Sequence, residues 1–211
     1  MHISEGVLSP PVIAIGWGIA AAGLGAGLKK TAARELPETA LVASVLFLAS
    51  LVHVPLGPSS IHLTMLGLAG ILLGWSAVPA LFVALLLQAV LFQFGGLLSL
   101  GVNTAVMGSA ALSAFGAWRL FTKGKGAAPG RMPAAGTKSA AAFACGFIAV
   151  ITGSALVTLS LFLSSRDLVS TGALIFAANI PLAAVEGVLT ALCVSFLQRL
   201  LSQYVSESKG I

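Results

Sequence analysis

The chain is poor in charge. Of its 211 residues, 11 are Lys or Arg and 6 are Asp or Glu, together 8%, where a soluble domain carries about a quarter. So few charges cannot cover a water-facing surface. With 58% hydrophobic residues and a mean hydropathy of +1.05, the expected solvent is the bilayer. Cysteine is equally scarce: Cys145 and Cys193 each sit in an apolar run, which excludes a disulfide framework and reads as packing. No G-x-x-x-x-G-K-S/T loop is present, so the chain cannot hydrolyse ATP by that machinery. H-E-x-x-H and G-x-S-x-G are missing too, as is a ladder of intramembrane charges of the kind a proton-driven antiporter needs. The first eleven residues contain no Lys or Arg and carry Glu5 ahead of the first apolar run. A secretory signal needs a basic start, so this is expected to be a retained, structured segment. The net charge of +5 arises in short connections and reads as a topology signal, not a nucleic-acid surface.

What is there is apolar sequence in long runs, near 11–28, 39–55, 60–74, 79–95, 103–121, 139–163 and 171–201. The fold class is therefore an all-α, polytopic membrane protein with about seven transmembrane helices. The third and fourth runs are short, which suggests tilting or packing inside the bundle. The last is too long for one straight span and contains Asn179-Ile180-Pro181, where a break or kink is expected. One domain covers 1–211, with an N-terminal metal-binding segment at 1–10 and a basic, Gly/Pro-rich linker at 122–138. Placing the N-terminus outside and the C-terminus in the cytoplasm puts ten of the eleven Lys and Arg on the cytoplasmic side, only Arg166 remaining outside.

That orientation carries His2, His53 and His62, the three histidines of the chain, to the extracytoplasmic side together with the Met1 amine. The amine, the His2 backbone nitrogen and the His2 imidazole can close two chelate rings on one metal ion, leaving one in-plane position open. Three nitrogens in a plane awaiting a fourth suit Ni2+ or Cu2+ better than Zn2+. The segment from His53 to His62 is rich in Pro and Gly and is read as a turn. Ser59 and Ser60 are expected to cap a helix whose first turn carries His62, the natural fourth ligand; His53, at a span end, is the weaker candidate. Gln93 to Thr104, with Gly95, Gly96 and Gly101, reads as a buried re-entrant or loop element. From it Asn103 can orient a ligand histidine or a metal-bound water, or simply cap the fifth span. Gln88 and Gln93 are read as interhelical hydrogen-bonders. Glu186, the one carboxylate deep in an apolar run, can pair with a polar neighbour, take protons or bond backbone. Glu5 can shape the N-terminal loop or draw cations. Gly23 and Gly27 mark a close helix approach, within the molecule or to a partner.

Met1-His2-Ile3-Ser4-Glu5-Gly6, the turn ending in His62, Leu100-Gly101-Val102-Asn103 and Val185-Glu186-Gly187-Val188-Leu189-Thr190 together resemble one family. It is the substrate-binding (S) component of cobalt and nickel energy-coupling-factor (ECF) transporters, the CbiM/NikM type, and the likeness runs over nearly the whole chain. The resemblance implies a seven-helix S component with an added N-terminal helix. That helix would insert the terminus so that the Met1 amine, His2 amide nitrogen, His2 imidazole and His62 hold the metal. It implies an ATP-driven importer in the cytoplasmic (inner) membrane of a bacterium or archaeon, in which this chain is non-catalytic. The transported ligand is Ni2+ or Co2+ and there is no cofactor. The implied partners are a transmembrane coupling protein, cytoplasmic ABC ATPases and a small accessory membrane subunit, here expected to be separate because the chain ends soon after Tyr204. No nucleic acid is implied. The alternative is a stand-alone secondary transporter or channel for a divalent transition metal. A metal-dependent membrane hydrolase is disfavoured, since Glu5 is the only acid near enough to serve as base.

Overall fold

The computed structural model describes residues 2–51, 53–56, 59–122 and 139–208, with side chains except at 53–61, 201, 202 and 204–208. Met1 and the linker basic residues Lys123, Lys125, Arg131 and Lys138 lie outside the described residues, as do the side chains of His53, Ser59 and Ser60. The elements run α1 (Pro10–Lys30), α2 (Leu36–Ala49), β1 (His53–Leu56), β2 (Ser59–His62), α3 (Leu66–Leu73), α4 (Ala77–Phe92), α5 (Leu100–Phe121), α6 (Ser139–Ser164) and α7 (Val169–Ser208). The protein is thus an all-α, multi-pass membrane protein apart from one short hairpin.

Local chemistry sets the ends of these helices. Pro10 and Pro11 open α1 where no N–H is required. Lys29 and Lys30 close it, where cations complement the helix dipole. At 21 residues α1 is about 32 Å long, enough to cross a hydrocarbon core of about 30 Å. Leu28, Leu41, Leu120, Leu192 and Phe196 are each more than half exposed; such an apolar exterior is expected of a surface bathed in acyl chains.

Among the described residues five stretches are long and apolar enough to cross a membrane: Pro10–Lys30, Leu66–Phe92, Leu100–Phe121, Ser139–Ser164 and Arg166–Leu200. The second does not run straight. A 3-10 turn at Gly74–Ser76, with Gly74 at φ 55°, separates α3 from α4. His62, ahead of α3, bonds His2, and Gly95, behind α4, packs on the same His2. The chain therefore leaves His2 along α3 and returns to it along α4. With eight residues, α3 rises only about 12 Å, so it is a half-span, and its stretch with α4 is 72% buried, as the shortness of the third and fourth runs suggests.

Two ends of the bundle follow. One gathers His2, the turn after His62, the loop from Gln93 to Ser99 and the α6–α7 connection, where Ser164 accepts from the Ser9 N–H at 3.2 Å. At the other, Lys30 Nζ lies 3.7 Å from the centre of the Trp75 ring, Thr31 donates to Ser76 at 2.8 Å, and Ser139 meets Ser195 at 3.1 Å. Lys29, Lys30, Arg34 and Arg119 flank that second end, and Arg166 stands at the first.

Three expectations are corrected. The second run is helical only to Ala49 and the third only from Leu66; between them β1 and β2 pair antiparallel with His53 opposite His62. Pro55 disfavours a helix interior, and a short apolar run does not distinguish strand from helix. Ser59 and Ser60 consequently lie on a strand and cap no helix, and His62 ends that strand and stands on no helical turn. Of the break or kink expected at Asn179-Ile180-Pro181, the break is absent: α7 is continuous through Pro181, as neighbouring packing permits in membrane helices.

Small residues set the helix spacing. Gly23 and Gly27 face Val78 and Pro79, so the close approach of α1 is within the molecule, to α4. At the junction of α3, α6 and α7, Gly67, Gly146 and Gly187 bring three backbones together. A Cβ on Gly146 would stand 2.6 Å from Thr190 Oγ1 and 2.7 Å from the Glu186 carbonyl oxygen. Overpacking of this kind costs about 1–3 kcal/mol. G146A is expected to lower the thermal unfolding midpoint in detergent, whereas G18A, whose Cβ would meet nothing within 4 Å, is not. Equal midpoints for both would refute this packing.

Candidate metal centre

The N-terminal segment is held inside the protein by its backbone. His2 and Ile3 are 5% and 0% exposed. The Ile3 N–H donates to Asn103 Oδ1 at 2.9 Å, and Asn103 Nδ2 donates to the Ile3 carbonyl at 3.1 Å. One buried side-chain amide thereby satisfies both polar groups of one buried residue, which the interior requires. Asn103 stands one turn into α5, its N–H bonded to the Ser99 carbonyl at 2.9 Å, so it is a clamp on the incoming chain and not a helix cap.

Gly95 and Gly96 make room for that segment. Both have positive φ, 78° and 88°, which glycine adopts without a steric penalty. A Cβ on Gly95 would stand 2.9 Å from Asn103 Nδ2 and 3.7 Å from His2, and one on Gly96 would collide with the Glu5 side chain. Glu5 is exposed and accepts from the Leu98 N–H at 3.3 Å, so it fastens the N-terminal segment to this loop, as one of its readings held. Gln93 is corrected: it is an exposed residue ending α4 in the left-handed conformation, φ 58°, not an intramembrane bonder. Gln88 is the buried one of the pair.

Two imidazoles meet at the centre. His2 Nδ1 and His62 Nε2 are 2.9 Å apart, ring centroids 4.6 Å, with both residues buried. His62 Nδ1 lies 2.9 Å from the Leu63 carbonyl oxygen. That oxygen can only accept, so Nδ1 carries the proton and Nε2 turns a lone pair toward His2. Nδ1 is also the His2 nitrogen that can close a six-membered ring with its own backbone nitrogen. At a metal–nitrogen distance of about 2.0 Å, neighbouring donors in a square lie about 2.8 Å apart and in a tetrahedron about 3.3 Å. The observed separation matches the square, and it also matches an N–H···N bond. An ion can thus replace the shared proton with little movement of either ring.

Among the described residues no three His, Cys, Asp or Glu side chains converge as a metal site would need. Backbone and amine nitrogens can supply further donors at the histidine pair. Glu186 is not a donor there. Fully buried on α7, its carboxylate accepts from the Thr64 N–H, from Thr64 Oγ1 at 3.0 Å and from the Met65 N–H at 3.0 Å. Of its three readings, two are observed: it bonds backbone, and it pairs with a polar neighbour, the Thr64 hydroxyl. Met65 itself is left-handed, φ 51° and ψ 22°, a strain of order 1–3 kcal/mol for a non-glycine residue. The Ile3 backbone, the Leu63 carbonyl and the Thr64–Met65 amides carry no signal in the sequence; Gly95-Gly96 does, as adjacent glycines between apolar runs.

The chain has relatives among proteins named for metal transport. Residues 2–203 match the family described as "Cobalt uptake substrate-specific transmembrane region". The chain is similar to a cobalt transport protein CbiM of Lachnoclostridium phytofermentans, 35% identical over 208 residues, covering 90% of this chain and 79% of the relative. It is similar to a fused nickel transport protein NikMN of Rhodobacter capsulatus, 38% identical over 112 residues, covering 49% and 31%. The chain spans about half the length, or less, of several curated relatives it matches. A crystal structure of a transition metal transporter has the same fold, with a TM-score of 0.78 at 24% identity over 95% of this chain and 93% of that one.

N103A is expected to strand the buried Ile3 N–H and carbonyl, at about 1–3 kcal/mol for each. Hydrogen exchange should then speed up in a peptide covering residues 2–9 and stay unchanged in α5 and α6. Unaltered protection of the N-terminal peptide would show that the clamp is not needed.

Proposed function

The chain belongs to the cobalt-uptake substrate-specific transmembrane (CbiM) family, and from that premise we propose that it captures Ni2+ or Co2+ from outside the cell for import. The ion is held by four nitrogens: the Met1 amine, the His2 backbone nitrogen, His2 Nδ1 and His62 Nε2. The observation that carries this reading is the buried pair of imidazole nitrogens 2.9 Å apart, with the His62 tautomer set by Leu63. Support also comes from the lack of a third converging side chain among the described residues, because a chelate built on backbone and amine needs none. A planar nitrogen set favours low-spin Ni2+. Raw affinity favours copper, so selection rests on geometry and availability.

The orientation proposed is that of an N-terminus outside, in the cytoplasmic membrane of a bacterium or archaeon. The basic residues around the far end of the bundle support it. The chain performs no covalent chemistry in this reading. A transmembrane coupling protein, cytoplasmic ABC ATPases and a small accessory membrane subunit would drive release on the inner side.

Titration of the purified chain with Ni2+ tests this. One ion per chain is expected. H62A, or one extra residue ahead of Met1, should each weaken binding by more than about 100-fold, since even losing a ligand's supporting contact costs about 10–100-fold. Unchanged affinity in both variants would exclude the proposed ligands.

A further inference from the structure

Glu186 takes no part in the proposed ligand set, yet it is wholly buried and bonded to one place only, the turn that follows His62. Its three donors are the Thr64 N–H, the Thr64 hydroxyl and the Met65 N–H. These amides precede α3 and have no helical partner of their own. The carboxylate arrives from a different helix, and its height is fixed by the junction where Gly67, Gly146 and Gly187 let α3, α6 and α7 touch through their backbones. A chain of contacts therefore runs from α7 to the pair of rings. Glu186 holds the Thr64 and Met65 amides. The held turn places the Leu63 carbonyl. That carbonyl takes the His62 Nδ1 proton, and His62 Nε2 is left facing His2.

We infer that Glu186 is a positioning residue of the metal centre, acting through the Leu63–Met65 turn to set the heading and tautomer of His62. This rests on the reading of His62 as a ligand. Glutamine in its place keeps one accepting oxygen and the size of the side chain, but its NH2 group would face an N–H where the carboxylate now accepts. The loss should therefore reach the metal through His62.

A double-mutant cycle on the full chain in detergent, read by Ni2+ titration, separates this from a role in folding alone. E186Q is expected to weaken Ni2+ binding by about 10–100-fold in the parent background, the range for supporting contacts of ligands, and by nothing further in an H62A background. Parent-like affinity in E186Q, or the same loss in both backgrounds, would overturn the inference. Should E186Q fail to fold, T64V removes only the hydroxyl donor. A loss confined to the parent background would then support the inference, and equal affinity would overturn it. If H62A itself binds Ni2+ like the parent, the ligand reading falls and this inference with it. If H62A loses binding and E186Q does not, only the role of Glu186 falls.

Discussion

Two buried imidazoles that meet nitrogen to nitrogen constrain the rest of this molecule. Polar rings out of water need partners, and here each supplies part of what the other needs, across 2.9 Å. One ring comes from the first residues of the chain and the other from the end of a hairpin 60 positions later, so neither is placed by its own local structure. The bundle must bring both to one point and hold them there. Much of its irregular geometry serves this: the half-span α3, the paired glycines after α4 and the left-handed Met65.

The two strands of support differ in kind. The N-terminal strand is fixed by an amide-to-backbone clamp, Asn103 on Ile3, with Glu5 and Ser9 fastened further along to Leu98 and Ser164. The His62 strand is fixed by a carboxylate that closes the first turn of α3. Non-helical backbone at membrane depth is tolerated only where protein satisfies its polar groups, and these contacts do so at Ile3 and at the turn before α3.

Much of this was legible in the residues and part was not. The membrane class, the helical ends of α1, α5 and α6, and the grouping of His2 with His62 follow from composition, run length and the sidedness of basic residues. The hairpin did not, because Val54-Pro55-Leu56 and Ser59-Ser60-Ile61 extend apolar runs that a helix would also show, and pairing depends on the chain across the turn. The path of α7 through Pro181 was likewise hidden, since tolerance of a proline depends on its neighbours. Asn103 and Glu186 could be singled out as polar residues in apolar surroundings. Their partners could not, because Ile3, Thr64 and Met65 contribute only backbone, which every residue has.

In the proposed centre an ion replaces the proton between the two rings within a plane of four nitrogens. X-ray absorption at the nickel edge, on the purified chain loaded with Ni2+, reads this directly. The account predicts a planar edge signature with four nitrogen neighbours, two of them imidazole. A six-coordinate ion with mainly oxygen neighbours, or a first shell lacking the second imidazole, would contradict it.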